Sequence, residues 1–182
     1  MWFCVLTQTR LFTKLDLTDK GKSSMNTVEK SIVVDVPVNT AYNQWTQFEE
    51  FPQFMEGVEQ VRQEGDTNLF WKANIGGKDV EWQARITEQT PDSQIAWRST
   101  TGAYNAGTVM FSPDGGDQTR ITLRLEYEPD GFFESVGSAL GFVDSRVEGD
   151  LERFKEFIEG RGAETGAWRG EVHGGAKARG NS

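Results

Sequence analysis

The chain has 182 residues, 36% of them hydrophobic and 12% aromatic, which is enough to bury one core and points to a single folded domain. A formal net charge of -9 argues against nucleic acid or an anionic bilayer as the main partner, because both repel an acidic surface. The one cysteine, Cys4, can form no internal disulfide, so nothing asks for an oxidising compartment and a cytoplasmic location is expected.

Residues Met1 to Leu6 are apolar, but no basic region precedes them, the stretch is too short for a secretory signal, and no small-residue cleavage site follows. Residues 1–24 are expected to form a disordered leader or an over-extended start. No run approaches the roughly 20 apolar residues that span a bilayer, so integral membrane association is not expected, while transient membrane contact stays open. From Val28 to Val36 apolar residues alternate, which predicts a first strand ended by Pro37. Asn39 or Thr40 then caps a short helix carrying Tyr42 and Trp45. Phe48, Phe51, Phe54 and Met55 recur at helical spacing around Pro52 and predict a second short helix.

From Val58 to Tyr127 the period is two. Six strands are predicted: a weak one from Val58 to Gln63, and five more with Leu69, Trp71, Ala73 and Ile75, then Val80, Trp82, Ala84 and Ile86, then Ile95 and Trp97, then Val109 and Phe111, then Ile121, Leu123, Leu125 and Tyr127 on the apolar parity. Gly76-Gly77, Pro91-Asp92 and Pro113 to Gly116 supply the turns, and strands joined without helices make an antiparallel meander. The other parity carries Lys72, Glu81, Arg85, Arg98, Arg120, Arg124 and Glu126, a wet face on which the arginines are expected to pair across strands with Glu81 and Glu126. After Pro129 the period becomes 3.6: Phe133, Val136, Leu140, Val143, Val147, Leu151, Phe154 and Ile158 form one stripe, with Asp130 as N-cap and Gly160 as the stop. Residues 161–182, rich in glycine, are expected to stay disordered, which leaves 26–160 as the folded ligand-binding domain.

A sheet with one apolar face and a helix with one apolar stripe satisfy each other by packing together. The order of elements, with Glu29 to Val38, Phe48 to Met55 and Val147 to Lys155, resembles the START-type helix-grip (SRPBCC) superfamily, and within it the polyketide cyclase/dehydrase-like and coenzyme Q-binding-like branch. The resemblance implies an α+β helix-grip fold, in which a curved antiparallel sheet of about seven strands wraps a long C-terminal helix and two short helices follow strand 1. It also implies a deep apolar cavity between sheet and long helix, gated by the short helices.

The candidate wall residues are Trp71, Trp82, Trp97, Val109, Phe111, Leu123 and Leu140, with Phe51 and Phe54 at the gate. Asp144 projects near the edge of the helical stripe, where it could anchor a ligand or act as a raised-pKa acid, whereas Arg146 points nearly opposite. Tyr104 lies in a loop beside a second expected gate. Gly137, Gly141, Ser145 and Gly149 recur every four residues, and each interior glycine costs about 1 kcal/mol, which close packing or room for a ligand would offset. The only histidine, His173, lies in the tail and Cys4 in the leader, so the core holds no histidine base, histidine-based metal site or thiol nucleophile. No metal or cofactor is expected. The reading is a carrier or chaperone for a hydrophobic small molecule such as a lipid, isoprenoid quinone or polyketide-like aromatic. One alternative is a cyclase or dehydratase using Asp144 or Tyr104, and another is a protein interaction module without ligand. Oligomeric state is not legible.

Overall fold

The computed structural model describes residues 25–102, 104–128 and 139–178, with backbone alone at 139 and 140. The expected leader, Asp130, Phe133, Val136 and Gly137 lie outside the described residues, as does the side chain of Leu140. Strand β1 (Asn26–Val34) is followed by helix α1 (Val38–Trp45), a 3-10 helix (Phe48–Gln53) and the strands β2 (Val58–Glu64), β3 (Asn68–Ile75), β4 (Lys78–Thr90), β5 (Gln94–Ser99), β6 (Asn105–Pro113) and β7 (Thr119–Tyr127). The long helix α2 (Ala139–Arg161) and two short strands, β8 (Val172–His173) and β9 (Ala176–Lys177), complete the order. The sheet runs β1-β7-β6-β5-β4-β3-β2 and every pairing is antiparallel, so the predicted meander closes back onto β1. This is the helix-grip α+β architecture.

Local chemistry explains most boundaries. Gly76 and Gly77 both have positive φ, 61° and 84°, the condition for the tight two-residue turn that joins β3 to β4. Helix α1 begins directly after Pro37, with Asn39 and Thr40 inside its first turn and no side-chain cap, which corrects the predicted capping residue. Pro52 sits near the end of the 3-10 helix. Helix α2 runs to Arg161, and Gly162, not Gly160, stops it: its φ is 68° and its N–H donates to the Ile158 carbonyl at 2.9 Å.

Val143, Val147, Leu151, Phe154 and Ile158 of α2 are buried against the concave sheet. The helix is tied down along both flanks. Toward β1, Lys30 Nζ lies 2.7 Å from Asp144 and 3.2 Å from Glu148, and Lys155 Nζ donates to the Val33 carbonyl at 2.6 Å. Toward the 3-10 helix, Arg153 Nε donates to the Phe54 carbonyl at 2.9 Å. Gly141 and Ser145 are exposed, and the space beside Gly149 is taken by the Arg153 guanidinium, so the small-residue row faces neither sheet nor ligand.

The glycine-rich tail, expected to be disordered from residue 161, instead packs on the domain through residue 178. Val172 is fully buried and pairs with Gln89 of β4, and Trp168 packs against the core. The tail also resolves a puzzle in α1, where Asn43, Gln44 and Thr46 are buried although polar. Asn43 donates to Glu164 at 2.8 Å, Gln44 accepts from the Thr165 N–H at 2.9 Å, and Thr46 accepts from the Trp168 N–H at 3.0 Å. Arg169 adds a fork onto Asp92, at 2.6 and 2.7 Å. Two apolar anchors and a row of satisfied polar groups offset the ordering entropy that composition alone implies.

His173 is exposed and faces Glu88 at 2.9 Å and Glu171 at 3.4 Å; hydrogen bonding to Glu88 and then Glu171 raises its pKa above the ordinary 6.5. Because the folded value is raised, this contribution is complete below the unfolded value and fades as pH climbs through the folded one. The stability difference between wild type and His173→Gln is therefore expected to be larger near about pH 6 than near about pH 9, measured by thermal denaturation. An equal difference at both would mean that the ring contributes by contact alone.

Candidate ligand cavity

Between the sheet and the N-terminal half of α2 the described residues do not fill the core. A predominantly apolar cavity of about 170 Å³ remains. Trp71, Ala73 and Ile75 of β3, Trp82 of β4 and Trp97 of β5 form one wall. Leu123, Leu125 and Tyr127 of β7, with Asn105 of β6, form the back. Phe142, Val143, Arg146, Val147 and Asp150 of α2 cover it, and Met55, Glu56 and Val58 border the open side, where Glu56 is exposed.

The three tryptophans reach this cavity because the sequence keeps them on one parity and the register keeps them adjacent. Trp71 and Trp82 are direct partners across the β3–β4 ladder, and their rings stack 5.5 Å apart at 10°. Trp97 lies opposite Gly107 and its ring occupies the place where a Cβ would stand, so a side chain at 107 would push the ring out of the wall. The Trp71 indole N–H is buried without a hydrogen-bond partner among the described residues, a donor available to an acceptor on a ligand.

Of the residues selected from sequence, Trp71, Trp82, Trp97 and Leu123 border the cavity. Val109, Phe111, Phe51 and Phe54 do not. They belong to a solid aromatic cluster at the other end of the grip, where Phe111 meets Tyr42 at 5.6 Å and Phe54 meets Phe154 at 5.1 Å. The expected gate is thus largely core, with Met55 its one member on the cavity. Asp144 is corrected as well: it pairs with Lys30, its side chain is 47% exposed, and it lies on the β1 side of α2. Tyr104 borders a hollow on the outer face of the sheet instead.

Asp150 and Glu56 on the cavity are groups that sequence reasoning passed over, and Arg146, expected to point nearly opposite, borders it as well. Asp150 accepts from the Glu56 N–H at 3.0 Å and from Arg153, Arg146 donates to the Glu56 carbonyl, and Arg153 Nη2 lies 3.6 Å from the Glu56 carboxylate. These bonds latch the 54–57 segment onto α2 at the cavity mouth. Gly57 makes the latch fit: its φ is 71°, and a Cβ there would overlap Arg146 and lie 2.5 Å from the Asn74 carbonyl. Counting about 100° per residue, Asp150 stands about 60° from the centre of the apolar stripe, as Asp144 does, but on the opposite flank. A helical wheel shows both positions and cannot say which flank meets the cavity.

Burial raises the Asp150 pKa above the ordinary 3.8, against the opposing pull of the Glu56 N–H and of Arg153. A carboxyl with a raised folded pKa binds more protons folded than unfolded, so stability falls as pH rises from the ordinary value through the raised one. Asp150→Asn is expected to flatten that decline, read as the slope of Tm between about pH 4 and pH 7. A slope unchanged from wild type would show that this carboxyl titrates as it does in the unfolded chain.

A curved antiparallel sheet gripping a long helix around an apolar cavity is the helix-grip fold. The family described as polyketide cyclase / dehydrase and lipid transport matches residues 34–156, and the chain belongs to it. It is 53% identical over 149 residues to an uncharacterized 17.2 kDa protein of Streptomyces lincolnensis, covering 81% of this chain and 99% of that one. A START superfamily protein of Mycobacterium smegmatis shares the fold at a TM-score of 0.57 and 19% identity, over 74% of this chain and 95% of that one. The Zhui aromatase/cyclase of a Streptomyces species does so at a TM-score of 0.64 and 16% identity, over 80% and 100%. Among the described residues no helix is long and apolar enough to cross a membrane.

Proposed function

We propose that the protein binds a hydrophobic small molecule in the cavity between sheet and α2 and acts as its carrier or chaperone in the cytoplasm. The observation that carries this reading is an unfilled apolar space walled by three tryptophans in an otherwise packed core. At about 170 Å³ it exceeds what a few waters need, at about 30 Å³ each, and is close to the roughly 150 Å³ of an apolar cavity that admits benzene. That size speaks against a purely protein-binding module. It is smaller than the roughly 300 Å³ at which sites for drug-sized ligands begin, so a quinone, lipid or polyketide would insert one ring or chain end and leave the rest at the mouth by Glu56. A ring that buries about 150 Å² gains roughly 4 kcal/mol before the costs of association.

A second reading keeps the cavity and adds chemistry. Asp150, half-buried at the cavity with its pKa raised by burial, is the carboxyl that would serve as acid or base in a cyclisation or dehydration, in place of Asp144 or Tyr104. The family description supports both readings. Native mass spectrometry of the purified full chain, followed by titration with 2-naphthol, tests binding. A released hydrophobic compound or saturable naphthol uptake supports the carrier, and neither would remove it. Turnover of a bound polyketide that survives in Asp150→Asn would remove the catalytic reading.

A further inference from the structure

The outer face of the sheet, away from α2, holds a hollow of about 320 Å³ over the middle of β5 and β6. It exists because Ala96 and Ala106 are small, on a face that elsewhere carries long polar side chains. Its rim carries Arg98 and Arg124, the hydroxyls of Tyr104 and Thr108, Thr87, whose hydroxyl donates to the Ala96 carbonyl at 3.3 Å, and one carboxylate, Glu126.

The cross-strand pairing expected of the arginines on this face is not made among the described residues. Arg124 Nη2 lies 3.0 Å from Glu126 on its own strand. Arg98 makes no salt bridge or side-chain hydrogen bond among the described residues, and its partner across the β4–β5 ladder is another cation, Arg85, which donates to the neutral Asn68 at 3.3 Å. Like charges placed directly opposite in a ladder destabilise it. With 28 acidic against 19 basic residues, the chain does not lack carboxylates to relieve the contact. An unrelieved arginine pair beside a hollow made of small residues is what an anion site needs in its empty form.

We infer that this outer hollow binds a small oxyanion, a carboxylate or phosphate group, gripped by the Arg98 guanidinium with Arg124, Tyr104 and Thr108 as further donors. Arginine's planar fork meets both groups with two parallel N–H bonds, and the acidic remainder of the surface offers anions no general attraction. The site is distinct from the inner cavity, with which it shares only Trp97 as a wall.

Inorganic phosphate and benzoate, titrated separately into the full chain, test this through the arginine Nε–H resonances. The expected result is saturable binding of at least one probe that moves the Arg98 signal, weakens at least about tenfold in Arg98→Gln and persists in Arg120→Gln, whose arginine is held by Asp114 outside the hollow. Response to phosphate alone assigns a phosphoryl ligand, and response to benzoate alone a carboxylate. Shifts that never saturate, that spread evenly over all arginines, or that persist undiminished in Arg98→Gln with an unchanged amide spectrum overturn the site. None of these results depends on whether the inner cavity takes up a hydrophobic molecule.

Discussion

Ala73→Phe is expected to abolish uptake of a ring-sized hydrophobic probe such as 2-naphthol while leaving the fold intact. Ala73 sits on β3 between Trp71 and Ile75, is 2% exposed, and borders the cavity. A phenyl group there grows from the inner face of the sheet into space that is already void, so the usual overpacking cost of about 1–3 kcal/mol is offset by the apolar surface it buries. The ligand loses the same space. Forfeiting roughly 4 kcal/mol of burial corresponds to a rise in Kd of about a hundredfold to a thousandfold. Calorimetric titration gives the Kd and a thermal melt the stability. If Ala73→Phe takes up the probe as wild type does, the ligand site lies elsewhere; if it fails to fold, the cavity is too rigid to accept a side chain in place of a ligand.

The fold was legible because its signals are periodic. Alternation placed the apolar inner-face residues from Leu69 to Tyr127, though not buried Gln89, which follows a bulge in β4, and the 3.6 spacing placed Val143 to Ile158, so sheet, helix and their mutual burial followed from one-dimensional pattern. The tail was not legible for the opposite reason. Its order comes from Trp168, Val172 and hydrogen bonds to Asn43, Gln44 and Thr46, residues more than a hundred positions away that look like an ordinary polar face in sequence.

For the site, periodicity said which residues face inward and not how far the interior is filled. Trp71 and Phe111 share that inward character, yet one borders a void and the other is packed against Tyr42 and Trp45. What separates them is the placement of the 3-10 helix. Phe48, Phe51 and Phe54 plug one end of the grip, while the other end is left to Met55, Glu56 and the latch of Arg146, Asp150 and Arg153. That latch joins segments about ninety residues apart, which no local spacing encodes.

Phe154→Ala probes the plugged end and should produce the largest loss of stability. Phe154 is fully buried on α2, with ring centres 4.7 Å from Trp45 and 5.1 Å from Phe54. Truncation leaves a void walled by large rings, themselves held by Phe51 and Phe111, which limits collapse and places the cost at the upper part of the 3–5 kcal/mol typical for buried phenylalanine. Set against a total of about 5–15 kcal/mol for a domain, the variant should unfold at a clearly lower urea midpoint with its m-value unchanged. The folded fraction should still bind 2-naphthol with a Kd close to wild type, because Phe154 does not border the cavity. A loss below about 1 kcal/mol would mean that the rings close over the gap. A new, larger uptake of aromatic probe would mean that the plug and the cavity are one compartment, and that the ligand site extends from the mouth at Glu56 to the end of the grip.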